Sequence, residues 1–263
     1  RYNLGMGVGS QRAALEKPEL EDSFTIVREE APRAFLCANL GIIQLRDHGI
    51  EWAERAVEMI DAQAIAIHVN SLQEAIQPEG DHNAEGCLDA LRSLCDEFPL
   101  PVIVKETGSG ISAGTARIIR GAGADAIDIG GYGGTSWAKI ERLRADDSGL
   151  ADLGEAFLSW GIPTVVSLCE VRTAGGPIIA TGGLRSGIDI AKSIALGADL
   201  GGMALPLLKP AMESEDALSG AIERIHRELC VAMFLTGSRT MRDLRHARTY
   251  ITGLTRQMIE TSD

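Results

Sequence analysis

Long apolar runs and a surplus of basic residues are both missing from this 263-residue sequence. No run of 18 or more apolar residues occurs, and the first residues lack the basic segment and apolar core of a signal peptide. We therefore predict a cytoplasmic protein with no membrane span and no membrane partner. The 25 Lys and Arg residues are outnumbered by 37 Asp and Glu, which gives a formal net charge of −12. We expect no nucleic-acid partner for so acidic a chain, and an anionic ligand would have to be held locally by backbone N–H groups and a few cations.

The cysteines are too few and too scattered to form a metal or disulfide framework. None of the five is spaced as C-x-x-C, and their number is odd, so neither a zinc site nor a set of disulfides is indicated. We interpret them as buried or bystander thiols in a reducing cytosol. They are Cys37, Cys87, Cys95, Cys169 and Cys230.

A repeating order of β-rich run, polar or glycine-bearing tip and helical pattern occupies most of the chain. Strands that alternate with helices form right-handed βαβ units, so the pattern predicts an α/β protein with a parallel sheet. An open doubly wound sheet is the alternative, but a (β/α)8 TIM barrel is favoured because such tips follow almost every strand rather than one switch point. The predicted strands are Met6–Gly9, Ala34–Asn39, Ala64–Val69, Pro101–Lys105, Ala126–Gly130, Pro177–Thr181 and Leu200–Ala204.

Seven strands are one fewer than a barrel needs. Because the chain opens almost on a strand, we predict that the first strand of the barrel is missing from this chain and lies upstream of Arg1. No Pro/Ser-rich linker divides the sequence, so we predict a single domain over residues 1–263. The predicted helices are Glu51–Ile60, Glu85–Phe98, Ala113–Gly121, Leu150–Trp160, Val166–Thr173, Gly187–Leu196 and Ala217–Leu235.

The last two strand tips carry glycines in a pattern that predicts phosphate binding. Gly182 and Gly183 would let the backbone approach a ligand closely, and a helix that starts near Ser186 would point its N–H groups at an anion. Arg185 can add a bidentate contact. Barrels commonly bind phosphate at these two tips, although an ordinary glycine-bearing turn is the alternative. The second tip contributes Gly201, Gly202 and Ala204.

Three other strand tips carry groups that could bind the parts of a cofactor other than its phosphate. The stretch "IDIGGYGGTSW", which includes Gly130 and Thr135, offers backbone amides and hydroxyls for a polar edge or a ribityl-like tail. Lys105 ends its strand after four nonpolar residues and can place a cation beside electron-rich ring atoms, unless it forms a salt bridge instead. Asn39 ends another strand with an amide that can meet both a donor and an acceptor on a heterocycle.

The stretch "IAIHVNSLQEAIQPEGD" places many polar side chains where a buried strand ends. His68 and Asn70 share one face under strand alternation, and we expect Gln73 to follow on the loop. A lone histidine is usually structural, but here it shares its tip with an asparagine and two glutamines. Three carboxylates of this loop are hard oxygen ligands, and one of them could hold Mg²⁺ through a substrate diphosphate. They are Glu74, Glu79 and Asp81.

The first strand tip, "GVGSQR", presents a hydroxyl, an amide and a guanidinium in sequence. These belong to Ser10, Gln11 and Arg12. Arg12 is one of the few cations well placed for a phosphorylated substrate.

The motifs together resemble those of one family. "MGVGSQRAALE", "ANLG", "HVNSLQEAIQPEGD", "VKETGSGIS", "GGYGGTSW" and "TGGLRSG" are similar to type 2 isopentenyl diphosphate isomerase, an FMN-dependent (β/α)8-barrel enzyme, over Gly5 to about Leu208. The resemblance implies conversion of isopentenyl diphosphate to dimethylallyl diphosphate with reduced FMN, NADPH as reductant and Mg²⁺. It also implies a homotetramer or a larger homo-oligomer. The family's N-terminal part, which carries a basic motif for the diphosphate, is absent from this sequence.

The resemblance also implies roles for individual residues. Gln73 and His68 are the expected catalytic residues, with Gln73 orienting or relaying a proton near the alkene, and Glu74 is the expected metal ligand. Family members often carry serine at the position of Gly130. Substrate contacts are expected at Ser10, Gln11, Arg12, His68, Asn70 and Gln73. FMN contacts are expected at Ser10, Asn39, Lys105, Gly130, Thr135, Gly182, Gly183, Leu184, Arg185, Ala204 and Leu205.

Three other interpretations compete with this one. An FMN-dependent 2-hydroxyacid oxidase or dehydrogenase shares the barrel and the phosphate site, but it would need a histidine base where this chain has "GGYGGTSW". A nucleotide-reducing barrel would need a catalytic cysteine on a glycine-rich loop, whereas Cys169 lies in a helical pattern. A non-catalytic flavin-binding barrel is the alternative from a different class.

Overall fold

The computed structural model describes residues 2–78, 80–145 and 148–261 and confirms all seven predicted strands. They differ from the predicted ranges only at their ends, and Ala64–Val69 is identical. The strands are β1 Met6–Gly7, β2 Leu36–Gly41, β3 Ala64–Val69, β4 Val102–Glu106, β5 Ala126–Asp128, β6 Ile178–Ala180 and β7 Leu200–Gly201.

The sheet follows the order of the chain, β1 to β7, and its pairs are parallel. Cys37 lies opposite Ala64 in the β2–β3 pair, and Ile179 lies opposite Leu200 in the β6–β7 pair. Parallel strands in strict chain order, joined through helices, are the arrangement of a (β/α)8 barrel, of which the described residues supply seven strands. All residues of β2 are buried, which fits its nearly continuous apolar sequence.

The helices include every predicted one and several more. The additional ones are mostly short or begin directly at a strand tip, and a short 3-10 turn spans Pro18–Leu20. The helices are α1 Arg12–Glu16, α2 Asp22–Glu30, α3 Ile42–Ile60, α4 Ser71–Ile76, α5 Cys87–Glu97, α6 Ala113–Gly121, α7 Trp137–Arg144, α8 Ser148–Ala156, α9 Thr164–Arg172, α10 Gly187–Ala195, α11 Leu205–Glu213, α12 Glu215–Leu235, α13 Met241–Leu244 and α14 Gly253–Thr261.

Two local predictions were wrong. Gln73 was expected on a loop but lies in α4, of which Asn70 is the N-cap residue. Helix α3 begins at Ile42, well before the predicted start at Glu51. Gly49, with φ +67°, interrupts the helical backbone inside α3, and the predicted range begins after this interruption.

The chain divides into two compact units. The first comprises Arg1–Lys105 with Ile118–Ile127, and the second comprises Glu106–Arg117 with Asp128–Asp263. Fully buried side chains form the core of each, for example Leu40 and Ile67 in the first unit. That the chain is a single domain stays a prediction. No helix in the described part of the chain is long and apolar enough to cross a membrane.

Candidate active site

In the first unit, side chains at the ends of β2 and β3 form a buried hydrogen-bonded group with the loop before α1. Gln11 is completely buried; its Nε2 donates to the carbonyl oxygen of Ala56 at 2.8 Å, and its Oε1 accepts the backbone N–H of Asn39 at 2.9 Å. The Asn39 amide donates to the carbonyl oxygen of Val8 at 2.9 Å, and its Oδ1 lies 2.9 Å from Nδ1 of His68. Gln11 therefore supports Asn39 directly, and Asn39 in turn contacts His68.

His68 is uncharged in this setting. The residue is 8% exposed, and burial together with the positive charge of Lys105 lowers the pKa of His68 to about 4. A histidine with this pKa is neutral at physiological pH, so it can form hydrogen bonds but adds no positive charge to the site.

Helix α4 brings an amide and a carboxylate together on one turn. Nδ2 of Asn70 donates to Oε1 of Gln73 at 3.2 Å and to Oε1 of Glu74 at 3.0 Å. The other oxygen of Glu74 accepts from Nε2 of Gln77 at 2.8 Å and from the backbone N–H of Asp81 at 3.1 Å. Glu74 is 8% exposed, and no cation among the described residues pairs with it. Its buried negative charge is therefore held only by neutral donors.

The segment after α4 is held by Arg46, a residue that the sequence reasoning missed. Its guanidinium donates to Oδ2 of Asp81 at 2.5 Å and to the carbonyl oxygen of Asn83. The Arg46 bond lowers the pKa of Asp81. Because the N–H of Asp81 donates to Glu74, Arg46 fixes backbone that helps to hold this carboxylate. Glu79, a further predicted oxygen ligand, lies outside the described residues.

The remaining predicted residues of the first unit lie nearer the surface. Ser10 is exposed, and Arg12 opens α1 with its Nε 2.8 Å from Oε1 of Glu16. Lys105 is half-buried in β4. The positive charge of Lys105 acts on His68, so these two residues belong to one electrostatic environment.

In the second unit, the glycine-rich segments after β5 and β6 pack backbone against backbone. Gly182 and Gly183 have φ values of +100° and +86°, which favour glycine. A β-carbon on Gly182 would overlap with the carbonyl oxygen of Gly131, and one on Gly183 would overlap with that of Gly133. The glycines therefore permit the close approach of these two tips.

Gly130 occupies a position that accepts no larger residue without a shift of its surroundings. Its φ is +45°, and a β-carbon would overlap with the carbonyl oxygen of Glu106. Its N–H donates to Oγ1 of Thr181 at 3.1 Å, and the Thr181 hydroxyl donates to Oδ1 of Asp128. This crowding accounts for glycine where the family resemblance led us to expect serine.

The β6 and β7 tips present backbone donors. Helix α10 begins next to Ser186, close to the predicted start, and the Oγ of Ser186 accepts a backbone N–H of that helix. Within residues 2–78, 80–145 and 148–261, no protein acceptor receives the N–H groups of Gly183 and Leu184 after β6. The same holds for Ala204 and Leu205 after β7. Four residues predicted to contact FMN thus have a backbone N–H group that remains available to donate a hydrogen bond.

Two further predicted FMN contacts in the second unit, Arg185 and Thr135, lie at the surface. Arg185 donates to the carbonyl oxygens of Gly183 at 2.9 Å and Gly133 at 3.0 Å, and so ties the two glycine segments together. Thr135 is exposed. The second unit therefore contains all the predicted cofactor contacts other than Ser10, Asn39 and Lys105.

A cavity of about 530 Å³ lies elsewhere in the second unit, along α10 and α12. Apolar side chains such as Ile188, Val231 and Leu235 line it. None of the predicted site residues is among its lining residues, so the cavity is separate from the strand tips that carry the polar groups.

Comparison with known proteins shows which family this chain is similar to. The model of the FMN-dependent dehydrogenase family matches residues 43–251. The isopentenyl-diphosphate delta-isomerase of Methanoregula boonei is 63% identical over 265 residues, which cover 99% of this chain and 74% of that protein. The enzymes of the same name from Methanosarcina barkeri and Archaeoglobus fulgidus are 52% and 51% identical and are covered to 70% and 74%.

A solved structure supports the fold. A crystal structure described as a lactate oxidase from Pediococcus acidilactici matches with a TM-score of 0.60 and 21% identity. The match covers 82% of this chain and 61% of that one. At this identity the similarity concerns the fold alone.

Proposed function

This chain belongs to the FMN-dependent isopentenyl-diphosphate delta-isomerases, within the FMN-dependent dehydrogenase family, and we propose that it converts isopentenyl diphosphate to dimethylallyl diphosphate. NADPH as reductant, Mg²⁺, a cytoplasmic location and a homotetramer or larger homo-oligomer are parts of the same proposal. The observation that carries it is the group on α4, where Asn70 orients Gln73 next to the buried carboxylate of Glu74.

Glu74 is the residue that fits a metal ion. A buried carboxylate without a paired cation is unfavourable by itself, and a divalent cation would compensate its charge. The described residues contain no cluster of three or more His, Cys, Asp or Glu that could hold a metal alone. Mg²⁺ is usually bound by one or two carboxylates, water and substrate phosphates, so a single glutamate suits a diphosphate-bound Mg²⁺. Arg12 would add a positive charge for the diphosphate.

Gln73 is the residue that fits proton transfer. Isomerisation adds a proton at C4 of the substrate and removes one from C2, without net redox change. Asn70 donates to Oε1 of Gln73, which orients the amide with its NH₂ group as the donor. An amide is too weak an acid to be the sole proton donor, so Gln73 would orient or relay a proton near the alkene. When bound, reduced FMN supplies a proton-carrying N5 and an electron-rich ring that stabilises positive charge.

The donor set of the second unit fits the FMN phosphate. The N–H groups of Gly183, Leu184, Ala204 and Leu205 have no protein acceptor among the described residues, and phosphate oxygens are acceptors that such N–H groups bind. In the first unit, Lys105 would offer a cation to the flavin ring, and the amide of Asn39 retains capacity for a second bond at each of its two ends.

An anaerobic isomerase assay on the full-length protein with FMN, NADPH and Mg²⁺ tests the proposal. We expect dimethylallyl diphosphate to form only with reduced flavin. Gln73→Asn, which withdraws the amide by one methylene, should lower turnover by roughly 100-fold. Gln257→Asn on the exposed surface of α14 is the matched control and should have no effect. Turnover unchanged in Gln73→Asn would refute the role of Gln73.

A Mg²⁺ titration tests Glu74 separately. Glu74→Gln keeps the shape of the side chain and removes its charge, so half-maximal activity should require more Mg²⁺. Glu97→Gln, at the exposed end of α5, is the control. If no product forms although FMN is bound, the substrate assignment fails, and 2-hydroxyacids are tested next. Bound flavin without either activity would indicate a non-catalytic flavin-binding barrel.

A further inference from the structure

The hydrogen bonds around Asn39 determine which nitrogen of His68 carries the proton. Nδ2 of Asn39 donates to the carbonyl oxygen of Val8, so Oδ1 is the end of the amide that faces Nδ1 of His68. An amide oxygen only accepts, and Nδ1 must therefore be the N–H group of the ring. With the amide flipped, an oxygen would face the carbonyl oxygen of Val8 with no hydrogen between them. The neutral ring is thus the tautomer whose Nε2 carries a lone pair.

A second uncharged group lies near His68, in the helix that follows β2. Gln44, on α3, is 8% exposed, and its side chain has no hydrogen-bond partner among the described residues. A β-carbon on Gly41 would overlap with Oε1 of Gln44 and would lie 3.0 Å from Nε2 of His68. Glycine at position 41 therefore keeps open the space where these two polar groups converge.

We infer that His68 acts as an uncharged hydrogen-bond acceptor through Nε2, that Gln44 binds the same ligand, and that Asn39 and Gln11 are positioning residues that hold the ring in this tautomer. The ligand must then present an N–H or O–H donor without negative charge, either a heterocyclic N–H such as the flavin ring carries or an ordered water. Only the identity of this ligand rests on the proposed function.

This role differs from that of a cation for the diphosphate. A fully ionised diphosphate presents acceptors only, and the bare Nε2 of a neutral ring would repel it. To bind diphosphate, His68 would have to be protonated, which its burial and the charge of Lys105 oppose. Among the described residues, Lys105 is the charged group that acts on the ring of His68. The side chains next to the ring, Asn39 and Gln44, are neutral.

Nitrogen NMR of the protein labelled with ¹⁵N-histidine tests the inference directly. The chain has only five histidines, and the signal missing from a His68→Gln variant identifies His68. We expect Nδ1 to be protonated and Nε2 to be bare from about pH 8 to about pH 5.5, also with Mg²⁺ and inorganic diphosphate present. A protonated Nε2 in the free or the diphosphate-bound protein would overturn the inference. Added FMN shifts the Nε2 signal if the donor is the flavin ring and leaves it in place if the donor is water.

Substitutions separate positioning from a merely structural role. Asn39→Asp keeps the size and the acceptor but places a negative charge at Nδ1, so the pKa of His68 should rise to its ordinary value or above. The exposed Asn3→Asp is the control and should leave that pKa unchanged. An unchanged pKa in Asn39→Asp contradicts the positioning role. These signals are read in the free protein, so they are independent of whether the isomerase assay succeeds.

The histidine itself provides a test that does not require Asn39→Asp to fold. His68→Gln can place an uncharged acceptor near the position of Nε2, whereas His68→Phe cannot. We expect His68→Gln to retain about tenfold more kcat/KM than His68→Phe, which corresponds to one neutral hydrogen bond. Equal losses in the two variants would refute the acceptor role. Gln44→Leu should lower kcat/KM by a similar factor without changing the tautomer of His68 in the free protein, and an unchanged kcat/KM would remove Gln44 from the site.

Discussion

Acid should destabilise the first unit through His68. The folded protein holds the pKa of His68 at about 4, below the ordinary value of 6.5 that applies to the unfolded chain. Between these two values the unfolded chain binds more protons than the folded protein, so protonation favours unfolding. The contribution of His68 to stability is therefore fully present above about pH 6.5 and is lost as the pH falls toward 4.

The magnitude follows from the two pKa values. At pH 5 the unfolded histidine is almost fully protonated and the folded one is mostly neutral, which corresponds to a loss of about 2 kcal/mol in the free energy of unfolding. Such a loss is large beside the total stability of about 5 to 15 kcal/mol that is usual for proteins. Burial is the main cause of the shift and Lys105 is the second, so Lys105→Met should reduce the loss only in part.

Urea unfolding followed by circular dichroism at about pH 8, pH 6.5 and pH 5 measures this loss. Other groups also titrate in this range, so the His68→Gln variant is measured in parallel and its pH dependence is subtracted. We expect the wild-type protein to lose about 2 kcal/mol more than the variant between pH 8 and pH 5. The same pH dependence in both proteins would refute the lowered pKa of His68, and with it the expectation that the ring stays uncharged down to about pH 5.5.

Three other predictions test the supports of the site. Gln11→Leu leaves the buried N–H of Asn39 without a partner, and urea unfolding should show a loss of roughly 1 to 3 kcal/mol. Arg46→Ala should raise the Mg²⁺ concentration needed for half-maximal activity, with Arg46→Lys intermediate because lysine keeps the charge but not the forked geometry; equal values in all three proteins would remove Arg46 from the site. Gly182→Ala should abolish FMN binding in a fluorescence titration, because its φ of +100° and the neighbouring backbone exclude a β-carbon, whereas Gly220→Ala in α12, with open space around it, should bind FMN normally.

The sequence predicted the strands well because their signal is local. Each strand is a short apolar run followed by a polar or glycine-bearing tip, and such a run needs no information from distant residues. Helix α4 escaped prediction for the opposite reason. Its six residues are too few to show a helical period, although Asn70 before it and Pro78 after it were available as start and stop signals. This error put Gln73 and Glu74 on a loop.

The connections within the site could not be predicted, because they join residues far apart in the chain. Gln11 and Asn39 are 28 positions apart, and Arg46 and Asp81 are 35 apart. Glutamine is usually exposed, and the sequence singled out Gln11 only as an expected substrate contact, whereas the structure buries it completely. Gln44 lies in the first part of α3, before the interruption at Gly49. No feature of the sequence marked it as a binding residue.

The anionic ligands that we propose for this acidic chain would bind without attraction from its overall electrostatic field. At the β6 and β7 tips, which we propose to bind phosphate, the unused donors are backbone N–H groups, whose partial charges are independent of the net charge of −12. In the first unit, neutral amides hold His68 and Glu74, so the site contains one uncompensated carboxylate and an uncharged ring. A diphosphate that arrives with Mg²⁺ brings its own compensation for Glu74. Under the proposed function, the metal-bound form of the substrate would match the charge of this site better than the free diphosphate.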